Sequence, residues 1–382
     1  MGYLHFEVIT EQLPKKLGKP SGDVIDSERE KHSTYYFLCD GVGSGIKANI
    51  AATMCVSRFK ELLRTGLSLR QSFANIVGTM ENARKSDMPI AFFTSARILP
   101  DGVATILTYE MPEILFIAKK YSTRIKSINQ IFKDGVITET NCVLEKGEGI
   151  LVFSDGISQA GLGKGLVNGW DIDGINKFVN DLLRNGIDIR KLPKLVIDEA
   201  RRLWANELGD DLSVSLIYCR KGNVVNILTG PPSDTSLDSF VVNNFLANDG
   251  LKIVCGASTA KIVARVVNKE FQINPNFKSE IAPPDYEIDG IDLVTEGAIT
   301  LNQLYNVWDE NSDKLEKDSP VTVLYSLLNV ADRVNIYLGK SKNPASEDIS
   351  FVQQGILKRD KIVKLLAEKL ITEQKLVQIE EF

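Results

Sequence analysis

Histidine is nearly absent from this chain: His5 and His32 are the only two in 382 residues. Neither stands near a nucleophile-elbow pattern, so Ser-His-Asp and Cys-His catalysis lack a base. The five cysteines, Cys39, Cys55, Cys142, Cys219 and Cys255, are odd in number, and no two have the CxxC spacing of a zinc or redox site. They read as reduced core residues of a cytosolic protein. The sequence has no basic-then-apolar leader pattern at its start and no apolar run long enough to span a bilayer. A cytoplasmic chain with no membrane partner is the expectation. Basic charge is not in excess either: 45 Lys+Arg against 50 Asp+Glu, net −5, leaves no electrostatic footprint for nucleic acid.

What is present is ordinary globular composition, 43% hydrophobic and 25% charged, in a length that suggests two domains. Strand patterns fall at residues 5–10, 22–27, 34–39, 91–98, 103–109, 114–119, 149–153 and 212–219, and helical spacing at 46–63, 69–83, 174–183 and 192–204. Ser68 is placed as an N-cap and Gly66 as a C-terminal glycine. Turn signals lie at Pro100-Asp101-Gly102 and Lys133-Asp134-Gly135. Strand runs separated from paired helices predict an α+β sandwich, with helices covering antiparallel sheets. Residues 220–238 read as a linker or a first strand after a boundary near Lys221, which divides the chain into 1–221 and 222–382. Beyond it, 240–246 is helical, 251–255 a buried strand, and a helix opening at 256–260 runs to about 267; 291–296 begins a further segment. A helix at 320–332, a strand at 334–339 and a helix at 359–370 before a charged tail complete a small α/β domain. No internal repeat links the halves.

Several aspartates sit at abrupt strand ends. Asp40 follows the apolar run TYYFLC and precedes Gly41-Val42-Gly43-Ser44-Gly45; Asp155 follows an apolar run at 150–153 and precedes Gly156; Asp210 and Asp211 follow Gly209; Asp23 follows Gly22. An Asp trailed by Gly suits a hard cation, which takes carboxylate oxygens and a closely approaching backbone carbonyl. Asp-Gly is also a common turn pair, and 101–102 and 134–135 are read as turns. Asp40 and Asp155 differ because each closes an uninterrupted apolar strand, a costly place for an unpartnered charge.

The segments SGDVID (21–26), FLCDGVGSGIKAN (37–49), ILVFSDGI (150–157) and GDDLSVSLI (209–217) together resemble the metal-dependent type 2C serine/threonine protein phosphatases, most closely the sporulation stage II protein E (SpoIIE) branch. The resemblance covers about residues 1–220 and implies a β-sandwich with helices on both outer faces. It implies two Mn²⁺ or Mg²⁺ ions, bridged by Asp40, with Gly41 lending its carbonyl, Asp155 and Asp210 completing one shell, and Asp23 near the second ion. Asp211 stands where many relatives carry Asn and still offers an oxygen. The implied catalytic residues are Asp40, Asp155 and Asp210, and the implied reaction is hydrolysis of phosphoserine or phosphothreonine by metal-activated water. Larger members anchor phosphate with an arginine on the first strand, and residues 1–12 contain none.

The resemblance also implies a phosphorylated protein substrate, such as an anti-sigma-factor antagonist. Gly41, Gly43 and Gly45 present a glycine-rich approach to a helix, with Lys47 on its first turn, readable as an anion cradle or as a solvated helix start. No Gly-Lys-Ser/Thr follows, which ranks a nucleotide-dependent kinase last. The second domain resembles, through VCGASTAKIVAR (254–265), GIDLVTEGAITL (290–301) and IYLGKSKNPA (336–345), the extension of phosphatase-domain proteins encoded beside iron hydrogenases, which makes a hydrogenase-related partner a candidate. There the start of the helix after Cys255 is an anion site or an N-cap, and Asp289, Asp292 and Glu296 are a cation site or a solvated loop. The helix from Ile46 or the terminal helix either pairs with a second copy as a homodimer or packs inside its own domain. The alternative to a phosphatase is a catalytically weak phosphatase fold acting as a binding module in hydrogenase or stress signalling.

Overall fold

The strand at Ser33–Gly41 is buried along nearly its whole length, and its alternation feeds two cores. Tyr35, Phe37 and Cys39 pack under helices, while Tyr36 and Leu38 face a second sheet. Burial on both sides removes the polar alternation that a half-exposed strand would show. The computed structural model describes residues 2–16, 18–86, 88–132, 135–273, 286–310, 316, 319–341 and 355–382, and the chain divides into two units.

The unit Leu4–Lys221 holds two antiparallel sheets. One has the order β1-β11-β10-β6-β7, with β1 at Leu4–Leu13, β11 at Leu212–Lys221, β10 at Gly149–Phe153, β6 at Leu115–Ile117 and β7 at Ser122–Arg124. The other has the order β2-β3-β4-β5-β9-β8, with β2 at Asp23–Glu30, β3 at Ser33–Gly41, β4 at Ala91–Ile98, β5 at Val103–Tyr109, β9 at Gly135–Val143 and β8 at Ser127–Phe132. Their facing sides interdigitate through Phe6, Leu38, Ile106, Ile150 and Ile217. Helices α1 (Ile46–Arg64) and α2 (Leu69–Lys85) cover the second sheet, with Phe59 and Phe73 against Phe93. Helices α3 (Asp155–Ser158), α4 (Asp171–Arg184) and α5 (Leu192–Leu203) cover the first through Ile157, Val179 and Val196. The helix-sheet-sheet-helix sandwich expected from the sequence is borne out. All five cysteines are free, and four are buried. Among the described residues no helix is long and apolar enough to cross a membrane.

The second unit, Gly222–Phe382 with the residues up to Tyr3, is built on one sheet of order β14-β15-β16-β13-β12-β17-β18. These are Gln272–Ile273, Tyr286–Glu287, Leu293–Thr295, Leu251–Cys255, Val224–Thr229, Arg333–Leu338 and Leu376–Glu381. From β16 to β18 every pairing is parallel. Helices α6 (Asp238–Ala247) and α7 (Ala257–Val267) cover one face, and α8 (Gly297–Val307), α9 (Pro320–Asn329) and a last helix, Arg359–Thr372, cover the other.

Two sequence expectations are corrected here, and one left open is decided. Residues 220–238, open between a linker and a first strand, contain that strand: β12 lies between β13 and β17 with Val225 and Ile227 in the core. The charged tail is β18, an edge strand whose acidic residues face solvent. The helix expected to 332 stops at Asn329, because Asp332 turns back to pair with Asn223, whose amide it accepts at 2.8 Å. Helix α8 and the strands β7, β8 and β9 carried no expectation. Lys133 and Asp134 of one expected turn, and residues 342–345 of one quoted motif, lie outside the described residues.

Candidate active site

The alternation that fills the sandwich also places its carboxylates. Asp40 follows Tyr36 and Leu38 on the inter-sheet side of β3, and the antiparallel register sets Asp23 of β2 directly opposite it. From the facing sheet, Ser154 continues the inter-sheet side of β10 beyond Ile150 and Val152, and Ser213 and Ser215 occupy that side of β11. The sandwich interior thus changes from apolar to polar toward one end. There Asp155 opens α3, and Asp210 and Asp211 lead into β11.

These carboxylates act on one another electrostatically. Burial, and then the negative charges of Asp23, Asp155 and Asp210, hold the Asp40 carboxyl far above the usual carboxylate range. Asp23 is pushed up to about 6, chiefly by burial and further by Asp211 and Asp155. Neither of its oxygens has a hydrogen-bond partner of ordinary geometry, although the hydroxyls of Ser213 and Ser154 stand near enough to favour its charged form. Asp155 accepts from Gln159 at 2.8 Å through Oδ2, and its Oδ1 is buried without a partner. Asp210 is raised by burial and by Asp155, and opposed by the Asp211 amide and by the charge of Lys15.

Two glycines are dictated by space. A Cβ at Gly41 would stand 1.9 Å from the carbonyl oxygen of Ala48, where α1 crosses the end of β3, and a Cβ at Gly156 would stand 2.2 Å from the carbonyl oxygen of Asp211. The Asp-Gly pairs here serve close approach of two backbones beside a carboxylate.

The expected site residues Asp23, Asp40, Gly41, Asp155 and Asp210 are therefore gathered at one end of the sandwich. As a metal centre the donor set is right in kind: hard carboxylate oxygens, buried, three of them without partners on Asp23 and Asp155. It is not a finished cage, because among the described residues no group of three or more acidic, histidine or cysteine side chains stands arranged to hold an ion.

Asp211 departs from its expected part as a spare oxygen ligand. It is 4% exposed, and both its oxygens are committed, accepting the amides of Lys15 at 2.6 Å and Gly22 at 2.8 Å. It ties down the loop that delivers Asp23, aided by Asn49, which donates to the Ser21 carbonyl at 2.8 Å. Lys15, just past the end of β1, was missed, because nothing in its own neighbourhood signals proximity to Asp210. Trp204 was missed likewise; its indole donates to the Gly156 carbonyl at 3.1 Å. Gly43 and Gly45 adopt positive φ at the open start of α1, and Lys47 is exposed. In the second unit Asp289 pairs with Lys269, Asp292 accepts the Lys252 amide, and Glu296 accepts the Tyr286 hydroxyl, so these three carboxylates are separately engaged.

Residues 30–220 match the family of stage II sporulation protein E, a segment that holds Asp40, Asp155 and Asp210 and begins after Asp23. No curated protein matches the chain. Among solved structures, the chain is similar to the RsbU and RsbW domains of a Mycobacterium tuberculosis protein, at 14% identity over 64% of this chain and 69% of that one, TM-score 0.48. It is similar to the phosphatase domain and regulatory fragment of SpoIIE from Bacillus subtilis, at 14% identity over 58% and 63%, TM-score 0.46. The PP2C domain of SiaA from Pseudomonas aeruginosa gives 11% identity over 55% and 85%, TM-score 0.45.

Proposed function

Because the chain belongs to the stage II sporulation protein E family and carries a type 2C serine/threonine protein phosphatase domain, we propose that it hydrolyses phosphoserine or phosphothreonine in a regulatory protein, using two divalent cations. The carrying observation is the convergence of Asp23, Asp40, Asp155 and Asp210 from separate strand ends, with oxygens of Asp23 and Asp155 left unpartnered in the interior. Asp40, Asp155, Asp210 and Asp23 would hold the cations, with the Gly41 carbonyl beside Asp40. When bound, Mn²⁺ or Mg²⁺ supplies an acidified water and offsets charge on the phosphoryl oxygens. The water oxygen adds to phosphorus as the bond to the side-chain oxygen breaks, giving a free hydroxyl and inorganic phosphate. The protein's own work is positional: Asp211 and Asn49 fix the loop bearing Asp23, Trp204 fixes the turn after Asp155, and Lys15 offers a cation to the substrate phosphate where the first strand has no arginine. Signalling through a phosphoprotein such as an anti-sigma-factor antagonist, and a regulatory or docking role for Gly222–Phe382, belong to the same proposal.

A second reading, a phosphatase fold that binds without turnover, is favoured by one observation: residues 1–12 contain no arginine to anchor the substrate phosphate. Hydrolysis of a phosphoserine peptide, measured with Mn²⁺, with Mg²⁺ and with chelator, decides between them. Turnover that needs the metal and is lost in Asp40→Asn and Asp155→Asn supports the enzyme. Calorimetric Mn²⁺ binding without turnover supports the module, and absence of both overturns the metal site.

A further inference from the structure

The five parallel strands of the second unit run β16-β13-β12-β17-β18 across the sheet, which in chain order is third, second, first, fourth, fifth. Such a doubly wound order has a switch point between its first and fourth strands, here β12 and β17, where the chain leaves toward opposite faces. It does so here. After β12 it enters α6, whose Val241 and Phe245 pack with Leu228 and Val254; after β17 it reaches the last helix, whose Ile362 and Val363 pack with Ile227 and Ile336 on the other face. The carboxyl ends of strands at a switch point are where open sheets of this kind take small ligands.

Two independent features stand there. The first is Arg359, the opening residue of the last helix. Its guanidinium lies on Gly230, at the end of β12, so closely that a Cβ there would meet Nη1 at 1.8 Å, and it donates to the Gly339 carbonyl, at the end of β17, at 3.0 Å. Among the described residues no carboxylate lies within ion-pair distance of it. The chain before it is fixed by buried Asn302 of α8, which donates to the Leu357 carbonyl at 3.0 Å and accepts its amide at 2.9 Å. The second feature is an orphaned hydroxyl. Thr229 closes β12 on the face that carries Val225 and Ile227, the face of Arg359, and in register across Cys255 stands Thr295 at the end of β16. Both are fully buried; the Thr229 hydroxyl has no partner, whereas that of Thr295 stands near the Cys255 thiol. Buried polar groups are nearly always satisfied, so the Thr229 hydroxyl, next in the chain to the glycine on which a guanidinium without a carboxylate partner lies, calls for an acceptor.

We propose that the carboxyl end of β12 and β17 binds the phosphate group of a small metabolite, with Arg359 as its cation and Thr229 as a hydroxyl donor. Phosphate fits because a guanidinium fork and a hydroxyl donor match its oxygens, and the guanidinium is held in place against the bare backbone of Gly230 and by the Gly339 carbonyl. The residues after β12 are Gly230-Pro231-Pro232 rather than a glycine-rich dinucleotide loop, and the prolines have no N–H to give. Recognition therefore falls to the arginine side chain instead of a nest of amides. This inference is independent of the phosphatase reading.

The test is calorimetric titration of the full chain with inorganic phosphate, AMP and ADP, in chelator and in the Asp40→Asn background, so that the other unit's site does not contribute. We expect saturable binding, weakened about tenfold or more in Arg359→Gln, since a charge-assisted pair is lost. Thr229→Val, which keeps shape and burial, weakens it by a smaller factor. AMP or ADP binding tighter than phosphate identifies a nucleoside phosphate, and equal affinities identify free phosphate; either supports the site. Equal affinity in wild type, Arg359→Gln and Thr229→Val, with all three melting alike, overturns it, as does the absence of binding by every probe.

Discussion

At the scale of single residues, the site is governed by what each carboxylate touches. Asp40 is buried beside like charges, which without metal hold its carboxyl protonated, so Asp40→Asn removes the cost of burying an ionisable carboxyl as well as a ligand. In chelator the variant should melt above wild type, while Mn²⁺ should no longer raise its melting temperature; a lower melting point in chelator would mean the side chain is structural. Lys15 carries a separate expectation. If it receives the substrate phosphate, Lys15→Ala should raise KM about tenfold with kcat changed little, the signature of lost uniform binding; a fall in kcat alone would speak against that part. Asp40 and Asp155 were legible in the sequence because a charge closing a continuous apolar strand is conspicuous. Asp211 and Lys15 were not. Asp211 reaches Gly22 across a separation of 189 residues, and no local pattern encodes a contact made that far away.

At the scale of elements, local chemistry was a good guide where it was strong. Ser68 and Gln71 form a full capping box at the start of α2, and Ser68→Ala costs about 1 kcal/mol by the usual measure of such caps. The strands β8 and β9 went unread because their hairpin exposes much of its surface, including Ile128 and Ile131, and so breaks the alternation that marks a half-buried pair. Helix α8 went unread because its start has no side-chain cap. What holds α2 against β9 is a bidentate pair: Arg70 donates to both oxygens of Glu139, at 2.8 and 2.5 Å, and Asn141 adds a third bond. The Arg70 contact, above all, holds the Glu139 carboxyl down at about 2 against an ordinary 4.5. Glu139 therefore stabilises the fold fully above about pH 4.5, and that contribution fades as pH falls toward 2. Urea midpoints should show wild type ahead of Glu139→Gln at pH 7, with the gap narrowing steadily below pH 4.5. A gap that stays constant down to pH 2.5 would show the pair contributes nothing to acid sensitivity; because Arg70 is largely exposed, the gap at pH 7 should be modest.

At the scale of the whole molecule, the two units differ in how far pattern could reveal them. The first repeats a motif order that can be matched by eye. The second is a largely parallel sheet whose strand order follows from nothing but packing: β12 was open between a linker and a first strand because it is short and flanked by Gly222 and Gly230, and its place between β13 and β17 is set by neighbours that come later in the chain. Each unit owns its cores, Phe37, Phe59 and Phe93 in one and Ile227, Leu324 and Ile336 in the other. The three tryptophans divide accordingly, with Trp170 and Trp204 in the first and Trp308 in the second. That division makes metal linkage readable. A ligand that binds only the folded first unit stabilises it by about 2.7 kcal/mol at a hundredfold excess over Kd, roughly 5–10 °C for a unit of this size. Calorimetry of the full chain should then show Mn²⁺ moving one transition and leaving another in place. The moving transition should coincide with the fluorescence transition of Trp308→Phe, which reports only Trp170 and Trp204. If Mn²⁺ instead moves the unfolding of the whole chain as one event, the units fold as one, and the metal's stabilisation reaches the parallel sheet as well.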